Sequence, residues 1–176
     1  EEEIMESKVV SGVAFSREEA KITLFTIEDR PGVASAIFGP LADAGVNVDM
    51  IVQNASHAGG NPATDLTFTV DKPDLNKASK VLESLRTELG FREVSTDESI
   101  GKVSIVGVGM RSHTGIAHRM FSALAEAGIN IEMISTSEIK VSVVIDAEKA
   151  DQAVRLLHDA FALSRDPASA GEEHPV

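Results

Sequence analysis

The sequence predicts an α+β fold made of two copies of one unit, and three observations carry that expectation. "GVASAIFGPLADAGVNVDMIVQ", residues 32–53, aligns without a gap on "GIAHRMFSALAEAGINIEMIST", residues 115–136, with about ten identities in roughly twenty-two positions, which marks a duplication. In each copy the apolar spacing switches from strand-like alternation to helical periodicity and back. The chain has 176 residues and 43% hydrophobic content, enough for one medium domain or two small ones sharing a core.

Each element follows from its own spacing. "KITLFTI" from Lys21 alternates as a β-strand, and "RPGVASAIFGPLADAG" turns helical through Val33, Ile37 and Leu41, stopping at Gly45. Pro40 inside that helix removes one backbone bond, so a kink or an early tightening is expected. "VNVDMIVQ" and "DLTFTV" read as strands around an exposed hairpin loop, "ASHAGGNPAT". "DLNKASKVLESLRTELG" gives a second helix with Asp74 as candidate N-cap, and "FREVSTD" returns as a strand. The order is βαββαβ, a split βαβ or ferredoxin-like unit: one antiparallel sheet with two helices on one face.

The second copy repeats this order from "GKVSIVGVG" to "AEKADQAVRLLHDAFAL" but has no final strand. The unassigned strand-like run "VVSGVAF", Val9 to Phe15, is expected to supply it, so that the first unit is inserted into the second. The expected boundaries are 16–97 for the inserted unit, 8–15 plus 98–163 for the enclosing one, and a flexible tail over 164–176, where nothing periodic remains to bury. The chain opens on Glu1 rather than Met, which suggests a fragment or a processed product.

Composition narrows the function. Without cysteine, neither disulfides nor thiolate metal sites are available, and no apolar run resembles a signal peptide or a membrane span, so a cytoplasmic location is expected. A net charge of −12 and the lack of Trp and Tyr argue against nucleic acid and anionic membrane surfaces as partners. "GVGMRSHTG" starts like a dinucleotide loop but has Ser112 at the third glycine position. The histidines His57, His113, His118, His158 and His174 lack the spacing of zinc ligands, so no metal and no cofactor are expected.

"EDRPG" carries more information. Asp29 ends a strand, Pro31 pre-sets a turn, and Gly32 lets backbone come close at a helix start. Free N–H groups and the helix dipole there suit a carboxylate, and Asp29 beside them can accept from an ammonium group, the two ends of a free amino acid. Asp29 can equally serve as a helix cap. Asn47, Asp49 and Gln53 occupy odd positions of one strand, with Val48, Met50 and Val52 on the other side. Asn47 recurs as Asn130 at the matching strand start, where it suits either a turn or an exposed ligand-facing edge.

Two βαββαβ units with "DRPG" opening one helix resemble the paired ACT domains of the aspartokinase regulatory region. The most specific stretches are "SGVAFSREEAKITLF", "NVDMIVQN", "KVSIVGVGM" followed by "SH", and "NIEMISTSEIKVSV", and the resemblance runs from about Val9 to Leu163. It implies feedback control of an ATP-dependent aspartate kinase by lysine, threonine or both, with no catalytic residues in this chain because the kinase domain and its Lys-Phe-Gly-Gly loop are absent. It also implies a homodimer through ACT pairing and association with a catalytic domain or α subunit. Met5 stands where a separately made β subunit would start. Carried over by position, the resemblance gives Asp29 the ammonium and the backbone of Gly32, Val33 and Ala34, behind Pro31, the carboxylate. Gln53 would take a threonine hydroxyl, with Asn47, Val48 and Asp49 on the same strand. Asn130 and Ile131 of a second chain would form the opposing edge. The matching loop of the other unit, Ser112, His113, Thr114, Gly115 and Ile116, has no carboxylate at the ammonium position and is a possible second effector site. Two alternatives stand beside this: an ACT-type sensor of another metabolic enzyme, and a small acylphosphatase-like enzyme relying on Arg30 and Asn47.

Overall fold

The structure, a computed structural model, describes residues 10–58, 60–110 and 115–163. The proposed tail and the residues Ser112, His113 and Thr114 lie outside them. Two units emerge, Arg17–Ile100 inserted into one that takes residues from both sides of it.

The inserted unit runs β2 (Glu19–Glu28), α1 (Val33–Asp43), β3 (Val48–Ala58), β4 (Asn61–Asp71), α2 (Leu75–Leu89), β5 (Glu93–Asp97), with sheet order β3-β4-β2-β5. All its strand pairs are antiparallel, which with this order is the ferredoxin-like arrangement. The helices cover one face. Val33, Ile37 and Leu41 of α1 and Ala78 and Leu82 of α2 pack on Ile22, Leu24, Leu66, Phe68 and Val70, apolar residues at alternate sheet positions meeting helical i, i+4 stripes. Phe38 meets Phe68 edge to face, centroids 5.2 Å apart.

The enclosing unit runs β6 (Ile100–Gly107), α3 (Ile116–Glu126), β7 (Met133–Thr136), β8 (Lys140–Asp146), α4 (Ala150–Ala160), with β1 (Val10–Ser16) completing the sheet order β1-β6-β8-β7. β1 lies antiparallel to β6 with Ser16 opposite Lys102 and Val13 opposite Ile105. β5 meets β2 in the same register, Asp97 opposite Lys21 and Val94 opposite Leu24. The strand read as "VVSGVAF" therefore takes the missing place. Ile116, Met120 and Leu124 of α3 repeat the stripe of α1 and join Val103, Ile105, Val143 and Leu157 in a second core.

The first helix runs as its spacing predicts, through Pro40 to Asp43: the Pro40 carbonyl accepts the Ala44 N–H at 3.0 Å, and the chain tightens with Gly45 donating to Ala42. Two local expectations need correcting. "ASHAGGNPAT" is mostly ladder rather than loop, since pairing continues to Ala58 opposite Asn61. Asp74 stands at the start of α2 without capping it. A 3-10 turn, Lys72–Asp74, precedes the helix, and the Asp74 carboxylate pairs with Lys77 at 3.4 Å instead.

Candidate functional site

The site begins where β2 delivers the chain into α1. Glu28, Asp29, Arg30, Pro31 and Gly32 are all exposed, and Gly32 holds φ +89°, a left-handed conformation that spares a Cβ. No side chain caps α1, so Asp29 does not act as the helix cap. The Val33 N–H is donated to the Arg30 carbonyl at 3.3 Å and the Ala36 N–H to Gly32 at 3.0 Å. Between them the amides of Ala34 and Ser35, in the first helical turn, have no intrahelical acceptor and point to solvent at the positive end of the helix.

Asp29 is fixed through its backbone, its N–H donating to the Pro62 carbonyl at 3.2 Å. Arg30 turns to Glu28 at 3.5 Å rather than to Asp29. An exposed carboxylate thus stands beside exposed amide donors, a pair suited to a zwitterion.

The loop is aimed by a bulge. Leu24 pairs with Leu66 and Ile27 with Thr64, so on β4 Phe25 and Thr26 together face one residue, Asp65. Thr26 adopts φ +58°, a left-handed conformation that costs a β-branched residue about 1–3 kcal/mol. Its N–H is donated to the Asp65 carboxylate at 2.8 Å. The enclosing unit has Gly109, φ +72°, six residues before Gly115, as Thr26 is six before Gly32. Thr26 and Asp65 were not singled out from the sequence.

The strand β3 divides the remaining candidates. A second bulge puts Asp49 and Met50 opposite Thr69 alone, with Val48 opposite Val70 and Ile51 opposite Phe68. Met50 donates its N–H to the Thr69 hydroxyl at 3.0 Å. Counting odd positions therefore fails across the bulge. Gln53 sits opposite Leu66, on the sheet face that the helices cover, and Asp49 belongs to the bulge instead.

Asn47 and Val48 also lie at the far end of the sheet from Asp29. Val48 is level with Val70, and Pro62, which holds Asp29, is opposite His57, a separation of roughly 30 Å at the rise of a strand. At that end Asn47 donates its side-chain amide to Asp71 at 3.4 Å and its N–H to Asp74 at 3.5 Å, which favours the turn reading of Asn47. One chain thus gathers Asp29, Pro31, Gly32, Val33 and Ala34 but does not bring Asn47, Val48 or Asp49 to them.

In the enclosing unit Asn130 and Ile131 come just before Glu132, which donates its N–H to the Val144 carbonyl at 2.8 Å at the entry to β7. They are the repeat equivalents of Asn47 and Val48. Gly115, φ +101°, opens α3 without a side-chain cap, and Ile116 is fully buried in the core. Ile116 therefore has only backbone to offer a ligand. Among the described residues no group of three or more His, Asp and Glu converges as a metal site. Nor is any helix among them long and apolar enough to cross a membrane.

Comparison with known proteins agrees with this architecture. The ACT domain family matches residues 21–87 and, through a second ACT model, residues 103–161. The chain is 55% identical over 172 residues to aspartate kinase Ask_LysC of Stutzerimonas stutzeri, covering 98% of this chain and 41% of that protein. It therefore spans about two fifths of the length of such curated relatives. The solved regulatory subunit of aspartate kinase from Thermus thermophilus, in its ligand-free form, is 44% identical with TM-score 0.81, covering 88% of this chain and 99% of that one. A chain from a solved structure of aspartokinase α and β subunits is 47% identical with the same TM-score and coverage. With two ACT units in this order and a full-length match to a regulatory subunit, the chain belongs to the aspartokinase family, in its ACT-domain regulatory part.

Proposed function

We propose that this chain is the effector-sensing region of an aspartokinase and that the inserted unit binds free threonine, lysine or both at the Asp29 loop. The observation that carries the reading is the pairing of an exposed carboxylate with the uncapped start of α1. Asp29 takes the ammonium group, and the free amides of Ala34 and Ser35, aided by the helix dipole, take the carboxylate. Gln53 is the polar group offered to the effector side chain.

A single unit leaves that ligand open on one side. In a two-fold pairing of chains, Asn130 and Ile131 of a second copy close it, mainly through backbone. By the same symmetry Asn47, Val48 and Asp49 serve the other pocket type, next to Gly115, which explains why they stand so far from Asp29. The effector acts by linkage: it stabilises the ACT pairing that goes with an inactive catalytic part, by no more than its differential affinity for the two states. The catalytic part or α subunit supplies ATP chemistry, and this chain alone phosphorylates nothing.

Calorimetric titration of threonine and of lysine into the wild-type chain and Asp29→Ala tests the assignment. Loss of a charge-assisted contact should weaken binding by about tenfold or more. Equal affinity in both proteins, for both amino acids, overturns it.

A further inference from the structure

We infer that Asp65, which lies on a different strand from the effector loop, is the positioning residue that makes that loop competent to bind. The inference rests on the amino-acid site proposed at Asp29. It starts from a local conflict. Thr26 is a β-branched residue in a left-handed conformation, φ +58°, where its side chain crowds its own backbone. Left alone, the segment would relax towards extended geometry and regular pairing, which removes the extra residue from the bulge. Such a shift turns every following side chain to the other face of the strand.

The residues next in line are Ile27, Glu28 and Asp29. Asp65 opposes this relaxation. It is the one β4 residue facing Phe25 and Thr26, and its half-buried carboxylate accepts the Thr26 N–H at 2.8 Å, a charge-assisted bond. Two neighbouring bonds brace the same point: Thr64 donates its hydroxyl to the Asn54 carbonyl at 3.0 Å, and Asp29 donates to Pro62 at 3.2 Å. All three acceptors come from the β3–β4 hairpin.

The enclosing unit supplies the contrast. Its left-handed Gly109, φ +72°, lies past the end of β6 at Gly107 rather than inside the strand, and glycine takes that conformation without strain. The position after Gly109 is held by backbone instead, Met110 donating to Glu138 at 2.9 Å. The inserted unit therefore keeps a strained residue and an acid to hold it, and it is the unit with the ammonium-binding carboxylate. Asp65 touches no ligand in this scheme; it acts through Thr26 on the direction in which Asp29 points.

The test uses the full chain and three variants, Asp65→Ala, Thr26→Gly and the double variant. Two readouts are taken below all melting transitions: amide hydrogen exchange of residues 26–35, and affinity for threonine and lysine. Asp65→Ala should speed exchange in that segment and weaken binding by about tenfold, the scale of a lost charged hydrogen bond. Thr26→Gly alone should change neither, and added to Asp65→Ala it should restore both, because a relaxed residue needs no clamp. Unchanged exchange in Asp65→Ala, or a double variant no better than Asp65→Ala, overturns the inference. If the wild-type chain binds neither amino acid, the site proposal fails while the exchange readout still decides the clamp.

Discussion

The inserted unit carries its fourth strand directly after its second helix, whereas the enclosing unit draws its own, β1, from ahead of the insertion. The register is the same in both: the spacing from Lys21 to Lys102 equals that from Ser16 to Asp97. Further differences lie at the loop end. From Lys21 to Gly32 the chain is two residues shorter than from Lys102 to Gly115. The β3–β4 ladder also reaches Ala58 opposite Asn61, where β7–β8 ends at Thr136 opposite Val141. Cores and helix stripes were kept, and the parts facing solvent at the loop end diverged. Packing constrains every buried position, while a loop end is free to take on ligand contacts.

The sharpest way to break the comparison is to remove what only one unit borrows. Deleting residues 1–16 takes Val10, 2% exposed, out of the second core and uncovers the β6 edge. Hydrogen exchange should then show protection lost throughout residues 101–163 and kept in 17–100. Uniform protection across both units would show that β1 is dispensable.

A smaller effect follows from exchanging the two left-handed residues. Gly109→Thr places a β-branched residue at φ +72° and should cost the enclosing unit about 1–3 kcal/mol in denaturant unfolding. A change under about 0.5 kcal/mol would mean that the position tolerates a side chain.

Much of this architecture was legible in the residues. The repeat, the helix stripes at Val33, Ile37, Leu41 and Ile116, Met120, Leu124, and the missing strand all follow from periodicity, because burial fixes which face each side chain must take. What escaped were irregularities of backbone. The bulge at Asp49–Met50 has no marker in its residues, so alternation placed Asp49 and Gln53 on one face when pairing separates them. Thr26 gave no sign of its left-handed geometry because threonine rarely adopts it. Direction along the sheet was also lost in counting by repeat position: Asn47 and Asp29 each match a ligand-facing place, yet one chain holds them at opposite ends. Only the path of β3 against β4 reveals that.

The central claim is that the starts of α1 and α3 are unequal, and that the one beside Asp29 receives an amino acid. Its most direct test is an NMR titration of the isotope-labelled chain with threonine and with lysine, following the backbone amides of both loops. The account predicts the largest shifts at Gly32, Val33, Ala34 and Ser35, with Gln53 responding to threonine. Shifts confined to Gly115, Ile116 and Ala117, or none in either loop, would contradict it.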